Sequence, residues 1–559
     1  MYSHFPSWHL SGTCRELTTS SLFLCDHLDY RYHQIMTIDF SLYLVTGREL
    51  LPPGKEYLES LEEALQGGVT VVQIREKRSD TLEFLEIARE SKILCAKYKV
   101  PLIINDRIDI ALAIQADGVH LGQTDMPVHV AKTLLPVGTV IGVSCNDPDH
   151  VKKAIEDEVD YIGIGAVWST TTKKLASPVV GVRGVGSLLQ ALDGTNIKAV
   201  AIGGINSTNA LRTLHGSVSI SGHRLDGIAV VSDIVASSAP RSAAQRLRNI
   251  LDVWIHHFDV QSRVTPVYDV GTIKNGVVEL MRLIRDKSPL IHQITNVVVT
   301  NQSANATLAL GASPIMATAS EEMHDLSRIP GGLLINFGTI TNKGGMILAG
   351  QYANEAQKPV VFDPVGVGAT QFRKTTASEL LNAWQASVIK GNAGEMASLA
   401  NSNEVQAKGV DSVGSGFADP ASFIREIAKK ERCVAVMTGP TDWVSDGVTV
   451  VKLENGNKML GDITGSGCIV GTCVATFCAG ASLMAAAPGT SPGPELAKLV
   501  RGNMLIGAVG GVLALTVAAE CAAERSDVHG SGTFLPALID ELYNLKPETL
   551  LSRAKVQVL

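Results

Sequence analysis

The feature that most constrains this chain is the run PLIINDRIDIALAIQADGVHLGQTD at residues 101–125. Two short apolar runs, 102–104 and 119–121, are each flanked by turn residues. Between them, 108–115 reads as a short amphipathic helix. Strand, helix, strand is the repeating unit of a parallel sheet. Polar residues fall where the strands end: Asn105 and Asp106 after the first, Gln123 and Asp125 after the second. In parallel α/β folds ligands gather at the carboxyl ends of strands. Two carboxylates on neighbouring strand ends suit a hard cation such as Mg2+, which takes oxygen ligands and shares them with a phosphate. One such Asp alone would read as a solvated loop acid or a helix cap; two in register favour metal.

The same alternation recurs. Eight strand-like runs, at 42–45, 69–74, 102–104, 119–121, 140–143, 161–164, 199–202 and 228–231, are separated by helix-period stretches such as 57–66 and 81–97. Eight alternations in so short a span predict a (β/α)8 TIM barrel, with a doubly wound open sheet as the competing arrangement. The 52 glycines among 559 residues fit the tight strand–helix turns of an α/β enzyme. A net charge of −7 with no basic block excludes a nucleic-acid footprint. Nine cysteines, an odd number without C-x-x-C, read as reduced thiols of a cytoplasmic protein. Residues 1–36 lack the apolar core of a secretory signal and read as a disordered extension. Two long apolar segments, 469–487 and 504–519, are rich in Gly and Ala and read as buried helices rather than membrane spans.

In a barrel, functional residues follow the strands. After the second run come Gln73, Arg75, Glu76 and Lys77; after the fifth, Ser144; after the sixth, Ser169 to Lys173. The seventh ends in Gly203-Gly204 and the eighth in Val231-Ser232-Asp233. A Gly-Gly turn running into a helix N-terminus lets backbone amides approach an anion, and the last two strands are the usual phosphate position of such barrels. Arg75, Lys77 and Lys173 bring three cations to the same mouth. The first half should therefore hold a diphosphate with Mg2+ and, separately, a monophosphate.

Taken together, QIREK (73–77), IINDR (103–107), GVHLGQTD (118–125), GVSC (142–145), STTTKK (169–174) and AIGGI (201–205) resemble thiamine-phosphate synthase over 37–235. That family joins a hydroxymethylpyrimidine diphosphate to a thiazole phosphate and releases diphosphate. The resemblance implies that Gln73, Ile74, Arg75, Glu76, Lys77, Asn105, Ser144 and Lys173 hold the pyrimidine diphosphate. It assigns Asp106 and Asp125 to Mg2+, and Thr170, Thr171, Thr172, Gly204, Val231 and Ser232 to the thiazole phosphate. The polar segment 216–226 reads as a surface insertion.

A second pattern starts after a packed linker at 255–274 and fills 275–559. Apolar runs again end in polar residues, and long terminal helices predict a three-layer α/β/α sheet. GDITGSGC at 461–468 places three glycines before a long apolar helix, an arrangement that can cradle a phosphoryl group, and it is not a Walker A motif. With ITN, GASPIM, FDPVG, KGNAGE and MTG in order, this half resembles hydroxyethylthiazole kinase, of the ribokinase-like superfamily. The resemblance implies ATP as co-substrate and a homo-oligomer with a trimeric kinase core. It places Asn296, Met316 and Gly465 at the thiazole alcohol, Lys390 and Thr438 at ATP, and Asp363 and Glu395 in support of Mg2+. Cys468 stands where ribokinase relatives carry a basic Asp. A thiol at a helix N-terminus can have its pKa lowered, which would make it the general base. The alternative is a small packing residue, with Asp363 or water taking the proton. The segment 401–417 reads as a surface insertion. Together the two resemblances imply a fused, bifunctional enzyme of thiamine biosynthesis. Two rivals are a non-catalytic sensing half, and a phosphosugar isomerase-like barrel joined to another ribokinase-type kinase.

Overall fold

The computed structural model describes residues 38–172, 177–261, 268–402, 406–408, 411–413, 417–486 and 499–559. The expected extension 1–36 and Lys173 lie outside the described residues.

Eight strands close into a parallel barrel in chain order: β1 Leu42–Val45, β2 Val71–Ile74, β3 Leu102–Asn105, β4 Gly118–Leu121, β5 Val140–Cys145, β6 Tyr161–Ile164, β7 Lys198–Ile202 and β8 Gly227–Val230. Strand β8 pairs back onto β1, so the open-sheet alternative is excluded. Strand alternation divides the side chains. Leu42, Leu44, Val72, Ile74, Leu102 and Ile104 face the helices, whereas Tyr43, Val45, Val71, Ile103, Val140 and Tyr161 fill the interior. Because period two is strict, Gln73, Asn105, His120 and Ser144 also point inward, at the carboxyl end.

The second sheet has nine strands: β9 Leu290–Ile294, β10 Ser313–Ile315, β11 Gly331–Asn336, β12 Val360–Asp363, β13 Val388–Asn392, then (past a small hairpin of β14 Gln406–Lys408 and β15 Asp411–Val413) β16 Val434–Thr438, β17 Asp442–Ser445, β18 Val450–Leu453 and β19 Val556–Val558. Their order is β10-β9-β11-β12-β13-β16-β17-β18-β19, parallel up to β16 and antiparallel beyond it. Separate apolar clusters cover the two faces, giving three layers. Helices Ser466–Ala485 and Met504–Ala523 are apolar and long enough to cross a membrane, yet most of each is buried against the sheet and against each other. They are core helices, as their Gly and Ala content predicts: Gly511 packs on the backbone of Val474 so closely that a Cβ would sit 2.4 Å from it.

Helix Pro240–Gln261 runs into the stretch read as a linker, and helix Val270–Lys287 begins directly after Asp269, whose side chain caps it. The segment 401–417 contains the hairpin β14–β15. The segment 216–226 is not a plain surface insertion: Ser217 and Ser219 are buried, Val218 bridges to Arg224, and its backbone meets the second domain.

Candidate active sites

A cleft of about 430 Å³ opens at the carboxyl end of the barrel. Its floor is a polar chain that the sequence reading missed. Gln73 Nε2 donates to Tyr43 Oη at 2.8 Å, Tyr43 and Tyr161 share a 2.8 Å hydroxyl contact, and His120 bridges Tyr161 Oη and Ser144 Oγ, both at 2.9 Å. Burial pushes both tyrosine hydroxyls well above their ordinary range, so they stay protonated and serve as donors or acceptors. The available signal was His120 inside GVHLGQTD, between two residues that face outward.

One wall of the cleft carries Arg75, Lys77, Asn105, Asp106 and Asp125. Lys77 is paired with Asp106, and Asp125 Oδ2 accepts from the Gly122 amide at 2.7 Å. Asp106 adopts a left-handed backbone, φ 62°, just past the end of β3. Such a conformation is uncommon for a residue with a side chain. The opposite wall carries Thr170, Thr172, Gly204, Val231 and Ser232. Thr171 lines an adjoining recess with Gly204, Asn206, Thr208 and Ser232. Gly203 and Gly204 both have positive φ, and a Cβ on Gly204 would lie 2.5 Å from the Ser169 carbonyl. Glycine is required there for shape as well as for conformation. Two predicted residues do not bring their side chains into the cleft. Ile74 packs in the outer core, as its outward register dictates, and Glu76 is turned away to form a two-point ion pair with Arg48 at 2.9 and 3.0 Å.

In the second domain the carboxyl edge of the parallel strands collects the other predicted residues. Asn296 follows β9, Met316 follows β10, Asp363 ends β12, Lys390 lies in β13 and Thr438 ends β16. Lys390 Nζ donates to Asp363 Oδ1 at 3.2 Å, and both are essentially excluded from solvent. The carboxylates of Asp363 and Glu395 hold the Lys390 ammonium charged against burial, while burial raises the Asp363 carboxyl. Glu395 does two local jobs: it accepts from the Asn392 amide in a capping box and from the Gly366 amide at 2.8 Å, which ties the FDPVG turn to the KGNAGE turn.

Asn336, at the end of β11, was not foreseen. Its amide donates to Asp363 Oδ2 at 2.9 Å and its oxygen accepts from Asn296 at 3.0 Å. Asn296 in turn reaches Cys468 Sγ at 3.4 Å. Arg373 was missed as well; it donates to the carbonyls of Phe337, Gly338 and Val365 and so pins two of the site's loops together. Helix Ser466–Ala485 enters this cluster through Gly465, φ 81°, where a Cβ would lie 2.2 Å from Val299. Two residues further on, a Cβ at Gly467 would lie 3.4 Å from Lys390 Nζ, and beyond the motif one at Gly471 would lie 3.1 Å from Asp363 Oδ2. The glycines of this motif therefore let a helix N-terminus approach the buried ion pair closely. Burial and the nearby Asp363 charge raise the Cys468 thiol pKa, outweighing the pull of Lys390.

The chain joins two α/β transferase halves: a barrel with a polar cleft at its carboxyl rim, and an α/β/α domain with a glycine-lined helix N-terminus. Comparison with known proteins agrees. Residues 42–234 match the thiamine monophosphate synthase family and residues 281–491 the hydroxyethylthiazole kinase family. The chain is 37% identical over 535 residues to the probable thiamine biosynthetic bifunctional enzyme of Schizosaccharomyces pombe, covering 93% of this chain and 99% of that one. It is 38% identical over 548 residues to the thiamine biosynthetic bifunctional enzyme of Saccharomyces cerevisiae, covering 91% and 97%. Its second half is 42% identical over 278 residues to the hydroxyethylthiazole kinase of Pasteurella multocida, covering 49% of this chain and 97% of that one. The chain belongs to the family of bifunctional thiamine biosynthetic enzymes, with a thiamine-phosphate synthase half and a hydroxyethylthiazole kinase half. The kinase half takes ATP as co-substrate.

Proposed function

We propose that the kinase half phosphorylates the hydroxyethyl alcohol of 4-methyl-5-(2-hydroxyethyl)thiazole, and that the barrel joins the resulting thiazole phosphate to 4-amino-5-hydroxymethyl-2-methylpyrimidine diphosphate. The observation that carries the barrel reading is one cleft with Arg75, Lys77, Asp106 and Asp125 on one wall and Gly204, Val231 and Ser232 on the other. The first wall suits a diphosphate leaving group, the second a monophosphate. Arg75 and Lys77, with Lys173 from the sequence motif, meet the charge that builds on the departing diphosphate, and such stabilisation is commonly the largest catalytic term. Thr170, Thr172 and the Gly203-Gly204 turn hold the thiazole by its phosphate, so its ring nitrogen waits beside the pyrimidine methylene. Gln73, Asn105 and Ser144 orient the pyrimidine over the Tyr43–Tyr161–His120 floor. The bond to diphosphate breaks first, and the pyrimidine methylene cation it leaves is captured by the thiazole ring nitrogen, so no side-chain nucleophile is needed.

Mg2+ fits this donor set. Asp106 and Asp125 offer only oxygens, Asp106 already faces a cation in Lys77, and no cage of three or more His, Cys, Asp or Glu exists among the described residues. Mg2+ characteristically uses one or two carboxylates together with substrate phosphates and retained water. Bound there, it would supply Lewis-acid neutralisation of the diphosphate. In the kinase half, Asn296, Met316 and Gly465 surround the alcohol and Lys390 and Thr438 take the nucleotide phosphates. Asp363 and Glu395 would support the nucleotide's Mg2+. Cys468 closes the alcohol pocket, and its raised pKa favours late proton transfer over a standing thiolate. The functional unit is a homo-oligomer built on a trimeric kinase core. The test is the purified chain with the thiazole alcohol, ATP and the pyrimidine diphosphate, with and without Mg2+. Thiamine phosphate should form only with the metal; equal yield in excess chelator overturns the metal assignment.

A further inference from the structure

The two halves meet at a buried arginine cluster that sits directly behind the barrel's monophosphate wall. Helix Ala210–Gly216 follows the Gly203-Gly204 turn and has only seven residues. A helix so short has little stability of its own, so its contacts decide where it lies. Towards the cleft, Asn209 Nδ2 donates to the Gly204 carbonyl at 2.9 Å, and Thr213 Oγ1 accepts from Trp168 Nε1 at 2.9 Å. Trp168 also donates its backbone amide to the Gly203 carbonyl at 2.9 Å. Away from the cleft, the same helix is held by the kinase half. Arg212, 5% exposed, donates Nη1 to Gln385 Oε1 at 3.0 Å and Nη2 to the Leu381 carbonyl at 2.6 Å. From the other side, Arg432 donates to the Gly216 and Val218 carbonyls at 2.7 and 3.2 Å, closing the helix's carboxyl end.

We infer that the kinase half is a structural brace for the synthase's thiazole-phosphate site, with Arg212 and Arg432 as positioning residues that fix the Gly203-Gly204 turn. This rests on the reading of that turn as the phosphate position. Burying a guanidinium is costly, and a methionine would fill the same space. Its neighbours Arg432 and Arg183 add repulsion, and with burial they pull the Arg212 pKa down to about 9. An arginine kept in such surroundings is explained by the bridge it makes between the halves, and that bridge ends on the helix that carries Asn209.

The full-length protein carries the test. Arg212→Met and, from the kinase half, Arg432→Met should each raise the synthase KM for thiazole phosphate about tenfold, the pattern of lost binding at one substrate. The KM for the pyrimidine diphosphate and both kinase constants should hold. Arg212→Lys, which keeps one donor within reach of the Leu381 carbonyl, should recover part of the loss. Gly204→Ala is the control for the site itself. If Gly204→Ala leaves the thiazole-phosphate KM unchanged, the phosphate reading fails. If Gly204→Ala raises it and folded Arg432→Met and Arg212→Met do not, the brace is refuted. Should Arg212→Met fail to fold, Arg432→Met and Arg212→Lys decide alone.

Discussion

Replacing Lys390 by Met removes one partner of the kinase half's buried ion pair. At the observed 3.2 Å, and with an effective dielectric of about 20, the attraction to Asp363 is worth roughly 5 kcal/mol. Removing one member of a buried pair usually costs about 3–5 kcal/mol, because the remaining charge is stranded out of water. Asp363 would be stranded: it is fully buried, and Asn336 is its one other described hydrogen-bond partner. Asp363→Asn should cost a similar amount by stranding Lys390. The double variant, Lys390→Met with Asp363→Asn, should be less destabilised than the sum of the singles by about 2 kcal/mol or more, since neither charge is left. Hydrogen exchange at the amides of β12 and β13 reads this half alone. Kinase turnover should fall by about a thousandfold or more in each variant, because the cation proposed to face the transferred phosphoryl group is lost or misplaced. Synthase turnover should stay at the parent level. Additive costs, within about 0.5 kcal/mol, would refute the view that the two residues act as one buried unit.

Cys468→Ser should retain kinase activity with a pH profile close to the parent's, because a thiol with a raised pKa is protonated near neutrality; a lost alkaline or neutral limb in Cys468→Ser would restore the thiolate base. Asp442 gives a stability test. Burial lifts its carboxyl to about 7, above its unfolded value near 4. The unfolded chain therefore releases this proton first, so the group's contribution is full below about pH 4 and is lost as pH rises towards 7, by up to about 4 kcal/mol. Asp442→Asn keeps an oxygen for the Gly439 amide and should be more stable than the parent at pH 8, with the difference shrinking towards pH 4; denaturant midpoints at the two pH values check it.

The barrel was legible because its signal is repeated. Each run alternates with a helix-period stretch, and strand ends put polar residues in register, so Asp106, Asp125, Arg75 and Lys77 could be placed on one rim before any coordinates. Strand limits moved by a residue or two: β5 extends to Cys145 and β2 begins at Val71. Residues whose roles depend on partners far along the chain were not legible. His120 reads as one polar residue in an apolar run until Tyr161 and Ser144 are brought beside it. Asn336 ends a strand like many asparagines, and its bridge between Asn296 and Asp363 needs the sheet order β9-β11-β12. Arg183, Arg212 and Arg432 look like ordinary helix charges in sequence. Only the docking of the halves brings them together around the buried Arg212, and the Arg183–Glu431 pair at 2.5 Å joins residues 248 apart. At Cys468 a helix N-terminus is visible in sequence, whereas the desolvation that raises its thiol pKa is not.

The direct measurement is synthase turnover in Asp106→Ala and Asp125→Ala, made in the full chain, with kinase turnover in the same samples as the internal check on folding. Cation-assisted diphosphate departure at the barrel rim predicts that coupling to thiamine phosphate is abolished in both while thiazole phosphorylation continues at the parent rate. Full coupling activity in either variant would contradict it.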